Sequence, residues 1–481
     1  MKLLYDVKDK PKFSKVLLFA MQQILAIITA TIAVPSAVGL QIHIPAAILG
    51  AGIGTLIYTL VTKGRSPIFH SSSFSFANSL VTAIAFGYLG IIIGAILASS
   101  VYLILSLIVK KTGTAWIKKI MPTAVIAPIV ILIGLSLAKS QVAKLVVSNG
   151  STSDGGYNLI ALFIGLFSFF GVVICSAQNR KKSLKLVPFI IATLAGYTLA
   201  LIISGIGYAA DADYMKIIDF SVFRKCFYDG DTFRGFKAFF DVPKISIVEG
   251  IKELKNGEVG STIRSLNPNA QFITATGVIE VALAFIPISF VCFAEHIADH
   301  ENLSHIIGHD LLEDPGLSRT LLGDGLGSMF GTLFGICPNT TYGESIACVA
   351  STGNASSVTI VTSAVGCIIF SFLTPFNAFF QSIPECVMGG VCVALLGFIA
   401  LSGLQMLKDL DFDDKKVFFT VVAILVTGVG GLVIKIPYEF KEGTNEINRA
   451  VEISSIATAL ILGIITYQVC NKLQKKHPVE A

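Results

Sequence analysis

Charge is what this sequence has least of. Only 14% of its 481 residues are Asp, Glu, Lys or Arg, where a soluble globular chain carries about 25%. That deficit excludes a surface solvated in the ordinary way. Paired cysteine motifs are absent too. Nine cysteines are present, none in CxxC spacing, so neither a zinc site nor a redox motif is expected. All but Cys226 sit in apolar segments as small core side chains. No basic patch interleaves with aromatics, which leaves no footprint for nucleic acid. The N-terminal stretch MKLLYDVKDKPKFSK is charged and lacks the short apolar core of a signal peptide. The first apolar segment is therefore expected to be the first span.

Long apolar runs are what is there. Hydrophobic residues make up 53% of the chain and mean hydropathy is +0.76. Stretches of about 20 apolar residues span a bilayer. About fourteen such segments can be counted, centred near residues 25, 53, 81, 99, 128, 167, 197, 284, 326, 348, 367, 395, 425 and 460. The pattern predicts an all-α membrane protein whose partner is the lipid bilayer.

Lysine and arginine segregate between the connections. Lys63 and Arg65, then Lys110, Lys111, Lys118 and Lys119, then Arg180, Lys181, Lys182 and Lys185, then Lys408, Lys415 and Lys416 follow segments two, four, six and twelve. Short connections on the other side, such as FGYLG, are nearly free of them. The positive-inside rule then predicts cytoplasmic termini in the cell membrane. Residues 209–270 form one long polar insertion, expected to be an external cap or hairpin.

Two stretches match each other. Residues 70–79 read HSSSFSFANS just after Pro67, and residues 338–347 read PNTTYGESIA. Both run from proline through hydroxyls and an aromatic into a short apolar segment. They lie in segments three and ten, seven apart, so the second half enters the membrane reversed. This is the pattern of two inverted seven-span repeats with paired broken helices, which places a binding site near the bilayer midplane. Residues 1–208 are expected to form the first repeat and residues 271–481 the second. Non-helical backbone at that depth must be buried in protein or line a cavity. Here Pro338 and Gly343 break the helix, and the hydroxyls of Thr340 and Thr341 are expected to satisfy the freed backbone groups.

Acids mark the same region. Segment eight ends SFVCFAEHIADHENLSHIIGH. Glu295 and Asp299 are four apart and share one helix face. A charge at membrane depth costs roughly 2.5–3.5 kcal/mol on insertion scales, so it persists mainly at substrate sites and proton paths. His300, His305 and His309 lie further out and are expected to be solvated. His296 and His300 have the spacing of a zinc pair, but Ile297 stands where HExxH needs Glu, and no metal site is expected. Asp324, in LLGDGLGSMFG, reads either as an intramembrane acid or as a helix-start residue near the interface.

The motifs FAEHIADHENL, GHDLLEDPGLSRTLLGDGLGS, CPNTTYGESI, SSSFSFA and IPECVMGGVCVALLGF together resemble the nucleobase–ascorbate transporter family and its bacterial uracil and xanthine permeases. The resemblance covers nearly the whole chain. It implies fourteen spans divided into core and gate domains, and proton-coupled import of a nucleobase without a cofactor. It also implies that Glu295 and Glu344 bind the base beside Tyr342, Gly343, Ser73 and Phe74. Asp299 is expected to take up the transported proton, with Glu295 and Asp324 as the other candidates. Sodium as the coupling ion and a homodimer are left open. The chain departs from uracil permeases at Asp299, where they often carry His, at Ser345, where they carry Asn, and at Gln23, where they carry His. Xanthine-type members tend to have Gln at the position of Glu344 and acids at those of Asp299 and Asp324. Uracil is expected ahead of xanthine. An anion exchanger on the same fold would suit a basic or neutral residue at position 344, and an intramembrane enzyme needs a nucleophile–base pair that is not found.

Overall fold

The structure is a computed structural model that describes residues 3–147, 157–178, 188–408, 410–442 and 445–476. Each of the fourteen predicted centres falls inside a helix, and these helices are numbered in chain order. The first half contributes α1 (Phe13–Ala37), α2 (Ile44–Val61), α3 (Ala77–Ile84), α4 (Gly87–Thr112), α5 (Thr123–Ser136), α6 (Leu159–Ala177) and α7 (Pro188–Ala209). The second half contributes α8 (Ala275–Ile307), α9 (Leu317–Phe334), α10 (Gly343–Thr352), α11 (Ser357–Ser371), α12 (Glu385–Leu407), α13 (Lys415–Val429) and α14 (Ser455–Lys476). Among the described residues nine helices are long and apolar enough to cross a membrane on their own. The chain is a multi-pass α-helical membrane protein.

Packing sorts the helices into two groups. Helix α2 lies against α9 and α11, α4 against α8 and α9, and α1 against α11. Separately, α12 lies against α5 and α6, α13 against α5 and α14, and α6 against α7. The first group, α1–α4 with α8–α11, is a core domain. The second, α5–α7 with α12–α14, is a gate domain. Each domain takes equivalent helices from both halves of the chain.

Glycine sets the tightest approach in the core domain. A Cβ on Gly50 of α2 would lie 2.2 Å from the Gly331 carbonyl oxygen of α9, and one on Gly54 would lie 2.8 Å from the Gly327 oxygen. In lipid no hydrophobic force pulls helices together, so close backbone contact does that work. The Asn339 amide donates to the Gly50 carbonyl at 2.8 Å and pins the crossing.

The two broken segments form strands. Helix α2 ends before Pro67, and residues His70–Ser72 run extended as β1. A two-residue hairpin, β2 (Tyr228–Asp229) and β3 (Thr232–Phe233), lies in the long insertion. Residues Asn339–Thr341 are β4. Strands β1 and β4 pair antiparallel, His70 with Thr341, Ser71 with Thr340 and Ser72 with Asn339. The Ser73 N–H extends the ladder to the Pro338 carbonyl at 2.9 Å. The freed backbone groups are therefore satisfied by one another, not by the threonine hydroxyls as the sequence suggested. The hydroxyls that do help come from other helices: Thr55 of α2 accepts from the His70 N–H at 2.9 Å and Ser345 of α10 from the Phe69 N–H at 3.0 Å, and Thr341 is released for another partner.

The insertion is built from helical turns at Ser221–Phe227, Ser246–Asn256 and Ser261–Leu266 together with the β2–β3 hairpin. It rests on the ends of core helices. The Ser246 hydroxyl donates to the Gly335 carbonyl, and the Asp241 N–H donates to the Phe372 carbonyl at 3.0 Å. Buried Glu253 accepts from the N–H groups of Leu89 at 3.1 Å and Gly260 at 2.9 Å. It thus caps the first turn of α4, where an anion is favoured. Burial nonetheless pushes its carboxyl above the usual carboxylate range, with the backbone donors opposing.

The opposite face gathers the basic connections. Arg65 pairs with Asp314 just before α9, the Gln468 amide donates to the Lys119 carbonyl at 2.7 Å, and the Gln474 amide to Asp414 at 2.8 Å. The N-terminal segment joins them, with the Ser356 hydroxyl donating to the Asp9 carbonyl at 2.6 Å. Arg180, Lys181, Lys182 and Lys185 lie outside the described residues. One feature of the other face was missed in the sequence. A hairpin of β5 (Ile434–Glu442) and β6 (Asn445–Ile453) joins α13 to α14. The alternation in IKIPYEF was its signal.

Candidate functional site

The two strands place two helix starts face to face. After β1 the chain makes one tight turn, Phe74–Phe76, and opens α3. After β4, Tyr342 precedes the first residue of α10, Gly343. The first N–H groups of a helix have no partner within it, so both starts offer donors toward the centre of the core domain. A Cβ on Gly343 would meet nothing within 4 Å, and this residue is exposed. Glu344 follows it in the first turn of α10.

Helix α8 crosses beside both strands and presents its acids to them. The Ser75 hydroxyl donates to Glu295 at 3.0 Å, and the Thr341 hydroxyl donates to Asp299 at 2.7 Å. One acid is thus tied to each half of the chain. Glu295 and Glu344 lie within electrostatic reach of each other, as do Asp299 and Glu344. All three acids keep partial exposure. Phe74 and Tyr342 are buried beside them, at 6% and 5%. The hydroxyls of Ser73 and Tyr342 have no hydrogen-bond partner. Carboxylates here accept from N–H groups, helix starts donate to carbonyls, and aromatic rings stand at the edge. Such a set suits a small planar molecule that carries both donors and acceptors.

The structure thus brings together Glu295, Glu344, Asp299, Ser73, Phe74, Tyr342 and Gly343. Asp324 lies within electrostatic reach of Glu295 and Asp299, but its hydrogen bond goes to His296. Asp324 is in the middle of α9, 1% exposed, so it is an intramembrane acid and not a helix-start residue. Gln23 does not reach the carboxylates either. Its amide donates to the Ser345 hydroxyl at 2.5 Å, which in turn accepts from the Phe69 N–H at 3.0 Å. The pair of departures, Gln23 and Ser345, is one contact between α1 and α10.

One expectation is corrected. His300 is not solvated; it is fully buried. Its Nδ1 donates to the His296 carbonyl at 2.7 Å, and its Nε2 lies 2.8 Å from the Tyr58 hydroxyl, which bonds Ser66 at 2.7 Å. Helix α8 runs on to Ile307, so position 300 is still packed against α2. His305 and His309 are exposed, as expected. A further residue escaped the sequence reading. His70, the first residue of β1, is fully buried with both ring nitrogens unpartnered, and its Nδ1 lies 3.5 Å from Asp324. Its signal was the lone imidazole at the head of HSSSFSFANS.

A cavity of about 260 Å³ lies at the basic face, between the stretch Thr114–Ile126 of the gate side and Ile297, Glu301, Leu312 and Leu317 of the core side. It marks a seam between the two domains. The acids that meet β1 and β4 do not line it.

Comparison with known proteins gives a consistent answer. The profile of the Permease family matches residues 14–224 and 260–436. The chain is 32% identical over 465 residues to the uracil permease of Bacillus caldolyticus, covering 96% of this chain and 93% of that one. It is 31% identical over 462 residues to the uracil permease of Bacillus subtilis (strain 168), covering 95% and 93%. The uracil permease of Escherichia coli (strain K12) is 28% identical over 462 residues, covering 95% and 92%. Among solved structures, the transmembrane domain of a cyanobacterium bicarbonate transporter, BicA, aligns with a TM-score of 0.54 at 14% identity, over 96% of this chain and 98% of that one. The murine Slc26a9 anion transporter in its inward-facing state aligns with a TM-score of 0.63 at 11% identity, over 97% and 69%. At these identities the two structures share the fold alone.

Proposed function

This chain belongs to the nucleobase–ascorbate transporter family, and from that premise we propose that it imports uracil by proton symport across the cell membrane. It is a permease, as its relatives are. The observation that carries the substrate reading is the meeting of three acids with the strand pair β1–β4. Uracil offers ring N–H groups beside carbonyls. Glu295 and Glu344 accept the N–H hydrogens, and the helix starts after Ser73 and Tyr342 donate to the carbonyls. Phe74 and Tyr342 close over the ring. Proton uptake by an acid among Asp299, Glu295 and Asp324 removes a charge that would otherwise oppose movement of the site. Residues 1–208 and 271–481 act as the two repeats. The lysine-rich face and both termini are cytoplasmic, and residues 209–270 are outside.

Xanthine is the runner-up, favoured by the acids at positions 299 and 324. An anion exchanger is favoured only by fold, since helix starts do bind anions. Three carboxylates at those starts would repel one. Uptake of radiolabelled uracil and xanthine into cells lacking their own permeases tests the proposal, with and without a proton uncoupler. Uracil accumulation that collapses with the uncoupler is expected. Xanthine uptake in its place, or accumulation driven by sodium, overturns the respective part.

A further inference from the structure

The long insertion turns apolar side chains away from the protein in two places. Its residues 225–259 fall between the two stretches that the family profile matches, so membership of the family does not account for them. The first patch is aromatic. Tyr228, Phe233, Phe236, Phe239 and Phe240 are all exposed, Phe236 at 76%. Phe236 stacks on Phe240 with ring centroids 5.3 Å apart, and Phe233 meets Tyr228 at 5.7 Å and Phe239 at 6.4 Å, both edge-on. The backbone behind these rings is tied down. The Thr374 N–H donates to the Phe239 carbonyl at 3.0 Å and the Thr374 hydroxyl to the Lys237 carbonyl at 2.9 Å. The second patch is on the helix Ser246–Asn256. Ser246, Gly250 and Glu253 are its buried face, with Gly250 against Ile92 of α4. Val248, Ile251 and Leu254, three apart along one stripe, are exposed, and exposed Lys255 stands one turn beyond Ile251. Exposed apolar surface gathered in this way marks contact with a protein or a membrane.

Three observations favour the membrane. The first is depth. The aromatic patch is bonded to residues 372–374, directly after α11 ends, and the helix patch is bonded through Glu253 to the first turn of α4. Both therefore stand where crossings end. The second is continuity with surface that faces lipid. The ring of Phe220, which leads into the aromatic patch, lies 5.6 Å from that of Tyr208 at the end of α7, and Ile202 and Ile206 of that crossing are exposed. Ile96 of α4, one turn beyond Ile92, is exposed as well. The third is composition. Rings beside lysines suit the headgroup level, where the apolar part reaches toward hydrocarbon and the cation toward phosphate; Lys225 and Lys237 are exposed in the first patch, Lys255 in the second. We propose that the insertion is an interfacial anchor whose ligand is phospholipid. Its aromatic patch and its helix patch both rest in the headgroup region of the leaflet on the insertion's side. The anchor thereby fixes the link between α11 and α12, the joint of core and gate domains, to the membrane surface.

Two reporters in the full chain test the anchor, Phe236→Trp and Leu254→Trp, each made with Trp116→Phe because Trp116 is the single tryptophan. Each is reconstituted into vesicles of phosphatidylcholine and phosphatidylglycerol. Exchanging the phosphatidylcholine for one brominated in its acyl chains should cut the emission of both reporters about twofold or more, since an interfacial side chain reaches the headgroup–acyl boundary. Iodide on both sides of the membrane should quench them only weakly. Strong quenching by iodide with no response to brominated lipid overturns the anchor, because the patches then face water. Protection from both quenchers overturns it too, because protein then covers them, whether a second copy of this chain or another part of it. A response from Phe236→Trp alone overturns the seat of the helix patch. Wild-type protein gives a second reading that no substitution can disturb. In vesicles doped with a phospholipid that carries a diazirine high in its acyl chain, photolabel should appear on peptides within residues 228–254 as well as on α7. Label on α7 without label on the insertion overturns the proposal. No readout here needs a transported substrate, so the anchor stands or falls apart from the uracil reading.

Discussion

Replacing Glu344 with Gln separates a ligand from a cap. Glu344 lies in the first turn of α10, beside exposed Gly343, and that helix has no side-chain cap at its Tyr342 start. Two roles compete for its carboxylate. As an acceptor for a ring N–H it makes a bond to a charged group, a contribution of roughly 1.5–3 kcal/mol. As a helix-start anion it contributes about 0.3–1 kcal/mol to stability. Gln keeps the length and one carbonyl, loses the charge, and brings an NH₂ that can face a ring N–H with no acceptor between. At about 1.4 kcal/mol per tenfold, loss of the ligand bond weakens uracil binding on the order of tenfold to a hundredfold. The ligand-free melting temperature should hardly move. Purified protein melted with and without uracil provides the assay, because stabilisation by ligand scales with occupancy. The same substitution should shift preference toward xanthine. A large fall in ligand-free stability, with uracil stabilising the survivor normally, refutes the reasoning and makes Glu344 a cap.

Other outcomes follow from the packing and the cap. Gly50→Ala sets a Cβ 2.2 Å from the Gly331 carbonyl oxygen and 3.0 Å from the Gly335 Cα, both backbone, so it should cost at least about 1–3 kcal/mol, the usual range for overpacking. In α12, a Cβ on Gly397 meets nothing within 4 Å, so Gly397→Ala should melt like wild type, and equal melting of all three proteins would contradict the crossing. Cys226, in the insertion, should react with an impermeant thiol reagent in intact cells, while Cys470 of α14 should need permeabilised ones; the reverse order would invert the topology. Burial pushes the Cys226 thiol up, with Arg234 opposing, so labelling should quicken as pH rises. The raised carboxyl of Glu253 means that the folded cap binds its proton more tightly than the unfolded chain does. Its contribution is therefore fully present at low pH and is lost as pH rises through the folded value; hydrogen exchange across residues 246–266 should show this slope, and Glu253→Gln should flatten it.

Much of this was legible because the bilayer restricts what a sequence can do. Apolar run length found the helices, since each run is one crossing or a broken piece of one. The repeated proline–hydroxyl–aromatic pattern found β1 and β4, since extended backbone at depth is rare enough to stand out. Glu295 and Asp299 were found by their cost. What was not legible depends on partners distant in sequence. His70 reads as the polar start of a loop until Asp324 is seen beside it, 254 positions away in the chain numbering. His300 looked like the end of a span because residue count sets depth poorly when a helix continues to Ile307. Hydroxyl bonding was misassigned because a single segment cannot reveal that its opposite number supplies the missing backbone partners. The strands Ile434–Glu442 and Asn445–Ile453 are faint in the sequence because their alternation is short and mixed with charge, beside apolar runs that dominate the pattern.

Helix α8 carries both halves of the proposed coupling. Glu295 bonds toward Ser75 and His296 bonds toward Asp324, one residue apart and on different faces. A shift of one turn of this helix moves both bonds at once. If the proton and the base bind cooperatively, linkage requires that each raise the other's affinity by the same factor. In a proton symporter the protonated carrier must favour base binding, so uracil affinity should rise as pH falls through the range in which the coupling acid takes up its proton. A coupling of 1.4 kcal/mol would change affinity about tenfold across that range. Asp324→Asn leaves a neutral amide at that position at every pH. Its uracil affinity should therefore match the low-pH value of wild type and stay flat. Titrations of uracil against purified protein at several pH values would measure both curves. A flat curve for wild type would mean that proton and base bind independently. A steep curve for Asp324→Asn would place the coupled proton on Glu295 or Asp299 instead, beside the base.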